Sequence, residues 1–309
     1  MSARIVFFGT PQFAVPSLER LSASGVDIAA VVTAPDKPTG RRRILTAPPV
    51  KATAERLGIP VLQPSSLKED SFFEQFAAFA SDVCVIVAYG KILPERYLAV
   101  PTHGFVNVHP SLLPMWRGPS PIQAALGAGD RETGVSVMVI DAEMDHGPLL
   151  AQQTVTLSGS EHLPELSEQL ADIGANLLVP SLIGYLDSEL APVAQAHENA
   201  TYCSKMSREN ARIRWDAAAS ETVNLIRANS GEPNAWTTWN GKALNIVRTD
   251  GIGTSDGAPG TVTRTDNIVM VATGENSVIL SRVQLEGRTV QSVTDFINGH
   301  SDFVGSVLT

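Results

Sequence analysis

The first two thirds of the chain alternate short apolar runs with longer segments in which apolar residues recur at helical spacing. The short runs predict strands at residues 4–8, 27–33, 60–62, 83–88, 105–109 and 135–140. The helical spacing predicts helices at residues 13–21, 50–57, 70–79, 119–126 and 163–186. Because strands that alternate with helices build βαβ units, the pattern predicts an α/β fold with a Rossmann-like, doubly wound and mostly parallel sheet.

The pattern changes after residue 190. Residues 191–204 open on a stretch rich in Ala and Pro, which predicts a linker. Helices are then predicted at 217–228 and 290–298, and short alternating runs at 235–239, 243–248, 260–264, 268–271 and 278–285. Closely spaced short strands of this kind predict a small, OB-like β-barrel. We therefore expect one domain at residues 1–190 and a second at 205–309.

Composition supports this division and narrows the function classes. A chain of 309 residues exceeds the roughly 250–300 residues at which one hydrophobic core stops growing. Two cysteines, Cys84 and Cys203, fit a reduced compartment without a disulfide framework, and the spacing of the six histidines predicts no metal site. No apolar stretch approaches the ~20 residues that span a bilayer, so we expect a soluble protein without a membrane segment.

Charge is unevenly distributed along the chain. The net charge of −9 argues against binding of a polyanion by the whole surface. Residues 36–51, however, contain five basic residues and one acidic residue, and residues 199–250 contain seven basic and five acidic residues. An acidic body with two basic contact zones remains compatible with nucleic-acid binding.

Several side chains follow predicted strands. Gly9, Tyr89, the segment 107–109 and the loop 141–145 each come at or after a strand end. Because ligands of open α/β sheets bind beyond the carboxyl ends of the strands, we expect these segments to converge on one edge.

Three residues, Asn107, His109 and Asp145, supply an amide, an imidazole and a carboxylate that could act together. Taken alone, His109 would more simply cap the end of a strand. Asn107 changes this interpretation, because residues two apart on a strand project from the same face and can reach one oxygen together. An amide and an imidazole would stabilise a developing oxyanion, and the carboxylate of Asp145 would accept a proton.

Taken together, nine segments resemble methionyl-tRNA formyltransferases, a family of 10-formyltetrahydrofolate-dependent enzymes. The segments are residues 8–11 (FGTP), 35–41 (PDKPTGR), 87–94 (VAYGKILP), 107–114 (NVHPSLLP), 116–118 (WRG), 121–123 (PIQ), 141–147 (DAEMDHG), 203–206 (CSKM) and 211–215 (ARIRW). The likeness therefore covers nearly the whole chain.

The resemblance implies transfer of the formyl group of 10-formyltetrahydrofolate to the α-amine of methionyl initiator tRNA, which gives N-formylmethionyl-tRNA for translation initiation. Asn107 and His109 would hold the oxyanion, and Asp145 would keep the imidazole charged and help to remove the amine proton. Residues 1–190 would then be the catalytic domain and residues 205–309 the tRNA-binding domain. We expect a monomer in a bacterial cytoplasm.

The resemblance also implies the substrate contacts. Ser111, Leu112, Leu113 and Pro114 would line the tetrahydrofolate site, with the pterin against backbone near Tyr89. Contacts to tRNA are expected from Arg41, Arg42, Arg43, Lys205 and Arg208. On charge pattern alone, three consecutive arginines are more often a solvated surface loop, but their place in a long loop beside the predicted catalytic edge favours contact with the acceptor end of the tRNA.

Four residues depart from the family's pattern. Pro110 and Met115 stand where relatives often have glycine and a basic residue, His146 follows Asp145 where threonine is usual, and Arg214 replaces a common acidic residue. None of these changes alters the catalytic trio.

Two other functions remain open at the level of sequence. One is formyl transfer to a small amine, such as an amino sugar nucleotide, or hydrolysis of the formyl donor. The other is a noncatalytic relative that binds RNA or folate. The C-terminal barrel disfavours a purine-pathway transferase that acts on a glycinamide ribotide, and the intact trio disfavours the second function.

Overall fold

The computed structural model describes residues 3–40, 43–254 and 257–309. The strands are β1 (Arg4–Gly9), β2 (Asp27–Val32), β3 (Lys37–Thr39), β4 (Ile44–Thr46), β5 (Val61–Leu62), β6 (Val83–Val87), β7 (Phe105–His109), β8 (Glu132–Val139), β9 (Leu149–Thr156), β10 (Trp236–Trp239), β11 (Lys242–Gly253), β12 (Val262–Thr265), β13 (Ile268–Ala272), β14 (Ser277–Leu285) and β15 (Gln291–Ser292). The helices are α1 (Val15–Ala23), α2 (Pro49–Arg56), α3 (Asp70–Ala77), α4 (Glu95–Leu98), α5 (Pro121–Ala128), α6 (Leu163–Leu186), α7 (Ala219–Ala228) and α8 (Val293–Gly299).

The chain folds into two compact units. The first comprises described residues up to Pro119 together with Gly134–Val155 and Ser167–Cys203. The second comprises Ser120–Thr133, Thr156–Leu166 and the residues from Ser204 onward. Helix α5 lies in sequence between strands of the first sheet, yet it belongs to the second unit, where it packs against α7.

The first sheet has seven strands in the order β5-β2-β1-β6-β7-β8-β9. Strand β1 pairs in parallel with β2 and β6, and β7 pairs in parallel with β6, whereas β8 runs antiparallel to β7. The predicted α/β fold with a mostly parallel sheet is confirmed. Parallel pairing brings the carboxyl ends of β1, β6 and β7 to one edge, where Gly9, Val87 and His109 end their strands.

The sequence pattern did not predict every strand. Strand β9 contains two adjacent exposed glutamines and carries no continuous apolar run. The short strands β3 and β4 form an antiparallel hairpin whose residues are all exposed. The hairpin buries none of its residues, and β9 buries only Leu150 and Val155, which are not at alternating positions, so apolar periodicity does not reveal either segment.

Aromatic residues fill the core on one side of the first sheet. The ring of Phe8 lies 5.8 Å from that of Phe76, 5.4 Å from that of Tyr89 and 5.8 Å from that of Phe105. Cys84 is fully buried in the same cluster, and burial raises the pKa of its thiol to about 12. This thiol therefore behaves as a small apolar group.

The second unit is built on an antiparallel sheet in the order β10-β11-β14-β13-β12, with β15 paired to β14. The curled sheet confirms the predicted barrel-like C-terminal fold. Its core includes Trp215 and Trp239, and the Trp239 ring packs edge-on against Phe296 and Phe303. In the part of the chain that the structure describes, no helix is long and apolar enough to cross a membrane.

A buried ion pair in the second unit should make stability depend on pH. Burial alone would raise the pKa of the Glu161 carboxyl, but hydrogen bonds from the Ser158 hydroxyl and from the N–H groups of Ser158 and Gly159 outweigh it and lower this pKa to about 2. The buried guanidinium of Arg227 lies 3.5 Å from the same carboxylate.

We expect Glu161→Gln to lower the free energy of unfolding by roughly 1.5–3 kcal/mol at neutral pH, the range for hydrogen bonds to a charged group. A carboxylate with a lowered folded-state pKa stabilises above its unfolded pKa, and it loses that effect as pH falls from about 4.5 towards about 2. Urea unfolding of both proteins at neutral and acidic pH measures the difference. The exposed Glu74→Gln serves as control, and a difference for Glu161→Gln that does not shrink in acid would contradict the assignment.

Candidate active site

The predicted catalytic residues Asn107, His109 and Asp145 all lie in the first unit. Asn107 and His109 share one face of β7, and His109 is only 5% exposed. Asp145 lies in the loop after β8. Because β8 is antiparallel to β7, with Val139 opposite Val106, this loop leaves the sheet away from the carboxyl end of β7. The expectation that Asp145 reaches the site simply by following a parallel strand is therefore wrong, and the loop folds back to bring it there.

Both nitrogens of the His109 ring face oxygen atoms. Nδ1 lies 3.6 Å from Oδ1 of Asp145, and Nε2 lies 3.1 Å from the carbonyl oxygen of Trp116. A carbonyl oxygen can only accept a hydrogen bond, so Nε2 is the donor and carries a hydrogen. The carboxylate and the carbonyl thus fix the plane of a nearly buried imidazole.

Asp145 is itself fixed by the backbone. Its Oδ2 accepts a hydrogen bond from the N–H of Gly118 at 2.8 Å. Its φ of +50° lies in the left-handed region, which costs a non-glycine residue roughly 1–3 kcal/mol and persists only where the surroundings impose it. Residues 116–118 belong to the segments that resemble the family, but the sequence alone assigns no role to their main-chain groups.

Asn107 differs from its two partners. Its backbone pairs within the sheet, but among residues 3–40, 43–254 and 257–309 nothing hydrogen-bonds to its half-buried side-chain amide. The amide can therefore donate to an oxygen placed beside His109.

The predicted folate-lining run 111–114 directly follows His109. Ser111 is fully buried and donates through its hydroxyl to the carbonyl oxygen of Met115 at 2.6 Å. Leu113 is 3% exposed, its N–H donates to Ser136 Oγ at 3.0 Å, and its carbonyl oxygen accepts from Gln152 Nε2 at 2.8 Å. Leu112 and Pro114 are half-buried. The polar anchors make this run a rigid wall beside the imidazole.

Tyr89 is predicted to contribute through nearby backbone. Its ring is buried in the aromatic core, burial raises the pKa of its phenol, and its hydroxyl has no hydrogen-bond partner in the described segments. Its carbonyl oxygen accepts from Thr10 Oγ1 at 3.1 Å. The side chain of Tyr89 is therefore not available to a ligand, whereas its neighbours Ala88 and Gly90 are exposed.

The predicted tRNA contacts fall into two groups. Arg41 and Arg42 lie outside the described residues, and the exposed Arg43 follows them between β3 and β4 with a φ of +48°. In the second unit, Lys205 and Arg208 are exposed. The guanidinium groups of Arg208 and Arg212 lie 4.8 and 5.3 Å from the centre of the Trp236 ring, which forms a basic and aromatic surface.

His146, the neighbour of Asp145, is also ordered by contacts. Its Nδ1 lies 2.6 Å from Oδ2 of Asp141, and its ring stacks on that of His197 with centres 4.0 Å apart. Within the described ranges, no group of three or more His, Cys, Asp or Glu residues has an arrangement that could hold a metal ion.

Comparison with known proteins gives full-length relatives. The chain matches the family described as Formyl transferase over residues 3–182 and the family described as Formyl transferase, C-terminal domain, over residues 205–301. A methionyl-tRNA formyltransferase of Myxococcus xanthus is 45% identical, with 98% of this chain and 97% of the relative covered. That of Roseobacter denitrificans is 42% identical, with 96% and 95% covered.

Solved structures share the fold at low identity. An N-formyltransferase from Helicobacter canadensis, in complex with folinic acid and dTDP-3-aminofucose, has a TM-score of 0.69 at 16% identity, with 91% of this chain and 98% of that chain covered. HypX from Aquifex aeolicus, in complex with tetrahydrofolic acid, has a TM-score of 0.68 at 14% identity. That match covers 98% of this chain but only 48% of the HypX chain.

A glycine in the Asp145 loop provides a test of the loop's packing. A Cβ on Gly147 would lie 2.0 Å from the carbonyl oxygen of Val139, so Gly147→Ala must displace backbone. We expect a loss of roughly 1–3 kcal/mol in the free energy of unfolding, as for other overpacked sites. Gly127→Ala in α5 is the control, because its Cβ would meet nothing closer than 3.8 Å and alanine favours helix. Equal unfolding midpoints in urea for the two variants would contradict the described packing.

Proposed function

The chain belongs to the methionyl-tRNA formyltransferase family, and we propose that it transfers the formyl group of 10-formyltetrahydrofolate to the α-amine of methionyl initiator tRNA. The product is N-formylmethionyl-tRNA for translation initiation. We further propose that the enzyme acts as a monomer in the bacterial cytoplasm, in keeping with the bacterial relatives that carry this name.

One observation carries the catalytic assignment. The buried ring of His109 is oriented by a carboxylate at one nitrogen and by a backbone carbonyl at the other, and the Asn107 amide on the same strand face has no hydrogen-bond partner among the described residues. An enzyme that stabilises an oxyanion needs preorganised donors and charge at one point, and this arrangement provides them.

The reaction follows from the three side chains. The neutral α-amine attacks the formyl carbon, and a new N–C bond forms while the carbonyl oxygen becomes an oxyanion. The Asn107 amide donates to this oxygen, and the charged imidazole of His109 offsets its negative charge. Asp145 takes up the amine proton through a water molecule, because both ring nitrogens of His109 already face oxygen atoms. Collapse of the intermediate then breaks the bond from the formyl carbon to N10 of the folate, and the proton that Asp145 took from the amine passes to N10.

Separate surfaces of the chain would contact the two substrates. The folate would lie along Ser111–Pro114, whose backbone groups are already fixed, so little ordering is needed on binding. The acceptor end of the tRNA would contact Arg41, Arg42 and Arg43 around the β3–β4 hairpin, and Lys205 and Arg208 would contact its backbone. In this proposal residues 1–190 are catalytic, residues 191–204 are a linker and residues 205–309 bind tRNA.

Substitution of the trio tests the mechanism. We expect His109→Ala and Asp145→Ala each to lower kcat at least about 10²-fold, because a preorganised group at the oxyanion is lost. A folate analogue should still raise the melting temperature of both variants, since neither residue belongs to the predicted folate wall. The assay measures N-formylmethionine formed on charged initiator tRNA, with the exposed Asp187→Ala as control. Near-normal turnover in either variant would remove the assigned role, and no product from the unaltered enzyme would refute the proposed function itself.

Substitution of Arg41 and Arg42 tests tRNA recognition. The double variant Arg41→Ala, Arg42→Ala should raise KM for charged tRNA roughly 10-fold, about 1.4 kcal/mol, and should leave KM for the formyl donor within about twofold. The exposed Lys68→Ala should leave both constants unchanged. Equal rises in both constants for the double variant would indicate general destabilisation instead.

A further inference from the structure

Arg117 carries a buried charge, and the described groups that bond to its guanidinium are Gln195, His197 and Tyr202. Its side chain is 2% exposed, and its Nε and Nη2 donate to Oε1 of Gln195 at 3.2 and 2.7 Å. Nη2 also donates to Nδ1 of His197 at 2.8 Å, and Nη1 donates to the hydroxyl of Tyr202 at 3.3 Å. No carboxylate in the described parts of the chain forms an ion pair with this guanidinium. A buried charge without a counter-charge weakens folding unless its hydrogen bonds compensate for the lost solvation.

Gln195 connects Arg117 by hydrogen bonds to the loop that contains Asp145. Its Nε2 donates to the carbonyl oxygens of Asp145 at 3.0 Å and of Gly147 at 2.7 Å. With two bonds accepted at Oε1, the amide uses both acceptor and both donor positions. The guanidinium has only donors, so it forces Oε1 towards itself and Nε2 towards the loop.

The main chain on either side of Arg117 also bonds to the side chains of His109 and Asp145. The carbonyl oxygen of Trp116 accepts from His109, and the N–H of Gly118 donates to the carboxylate of Asp145. The side chain of Arg117 reaches the backbone of the same Asp145 through Gln195. Asp145 is therefore held at both ends, its carboxylate by the turn and its carbonyl by Gln195.

The turn itself depends on such anchoring. Trp116 has a φ of +57° and Gly118 a φ of +120°, so both neighbours of Arg117 are in the left-handed region. The N–H of Arg117 donates to the carbonyl oxygen of Thr201 at 2.9 Å, and its carbonyl oxygen accepts from the N–H of Cys203 at 2.8 Å. The segment predicted to be a linker thus supplies both the main-chain support of the turn and Gln195.

We propose that Arg117 and Gln195 are positioning residues for formyl transfer, which hold the Asp145 carboxylate in register with the imidazole of His109. The proposal rests on the function proposed above. It assigns the pair no contact with either substrate. Loss of either residue therefore lowers kcat and leaves both KM values nearly unchanged.

The first test separates positioning from stability. Arg117→Lys keeps the charge but loses the planar fork, and Gln195→Met keeps the volume but loses all four hydrogen bonds. Each variant is expected to lower kcat by about 10²-fold, the effect of a displacement near 1 Å at a catalytic group, with KM for both substrates within about threefold. Arg227→Lys is the matched control, because it makes the same change at a buried arginine of the second unit. Equal kcat per folded molecule in Arg117→Lys and Arg227→Lys would overturn the proposal.

The second test asks whether the pair acts through Asp145. Gln195→Met added to Asp145→Asn should lower the residual rate by less than about threefold, because the carboxylate whose position matters is already gone. A full multiplication of the two single effects would show that Gln195 acts elsewhere, and would overturn the proposal.

A third measurement does not depend on activity. The Gly118 amide proton, bonded to a carboxylate, should resonate downfield in a ¹H–¹⁵N spectrum, and it should move upfield in Gln195→Met. An unmoved Gly118 resonance would overturn the positioning role even in an active enzyme. If the unaltered enzyme forms no N-formylmethionine, the proposed function fails, and this spectrum still decides whether the pair positions Asp145.

Discussion

The turn Trp116–Gly118 is the constraint on which the candidate site depends, because its main chain bonds at once to two of the three catalytic side chains, those of His109 and Asp145. The carbonyl before Arg117 accepts from the imidazole, and the N–H after it donates to the carboxylate. His109 and Asp145 come from separate segments of the first unit, and three consecutive residues fix their relative position. A short, buried turn with two left-handed residues has few alternative conformations, so it suits a site that must be ready before substrate arrives.

The first sheet also fixes the positions of the site residues. Strand β7 ends at His109 among fully buried neighbours, and the folate-lining run that follows is tied to β8 through Ser136. Ser136 Oγ both accepts from Leu113 and donates to the carbonyl oxygen of Ser111 at 2.6 Å, so one buried hydroxyl closes the run onto the sheet. The catalytic imidazole and the predicted folate wall are thereby parts of one continuous backbone segment.

Much of this architecture could be predicted from the sequence because burial leaves a periodic signal. The parallel strands, the long helix at Leu163–Leu186 and the same-face pair Asn107 and His109 follow from apolar runs and from the two-residue period of a strand. The exposed hairpin β3–β4 and the edge strand β9 leave no such signal. Pairing of Arg117 with Gln195 joins positions 78 residues apart, and no local pattern marks a contact between them. No local pattern reveals that β8 runs antiparallel to β7. The sequence therefore predicts that Asp145 lies near His109, but from a strand direction that the structure does not have.

The protonation pattern of the His109 ring tests the central claim most directly. ¹⁵N correlation spectra of histidine-labelled enzyme, with His109 assigned by its loss in His109→Gln, distinguish a ring nitrogen that bears a hydrogen from one that does not. The account predicts that Nε2 bears a hydrogen in the free enzyme, because the carbonyl oxygen of Trp116 can only accept. A bare Nε2, with the hydrogen on Nδ1 alone, would show that the turn does not hold the imidazole, and the proposed arrangement of the site would be wrong.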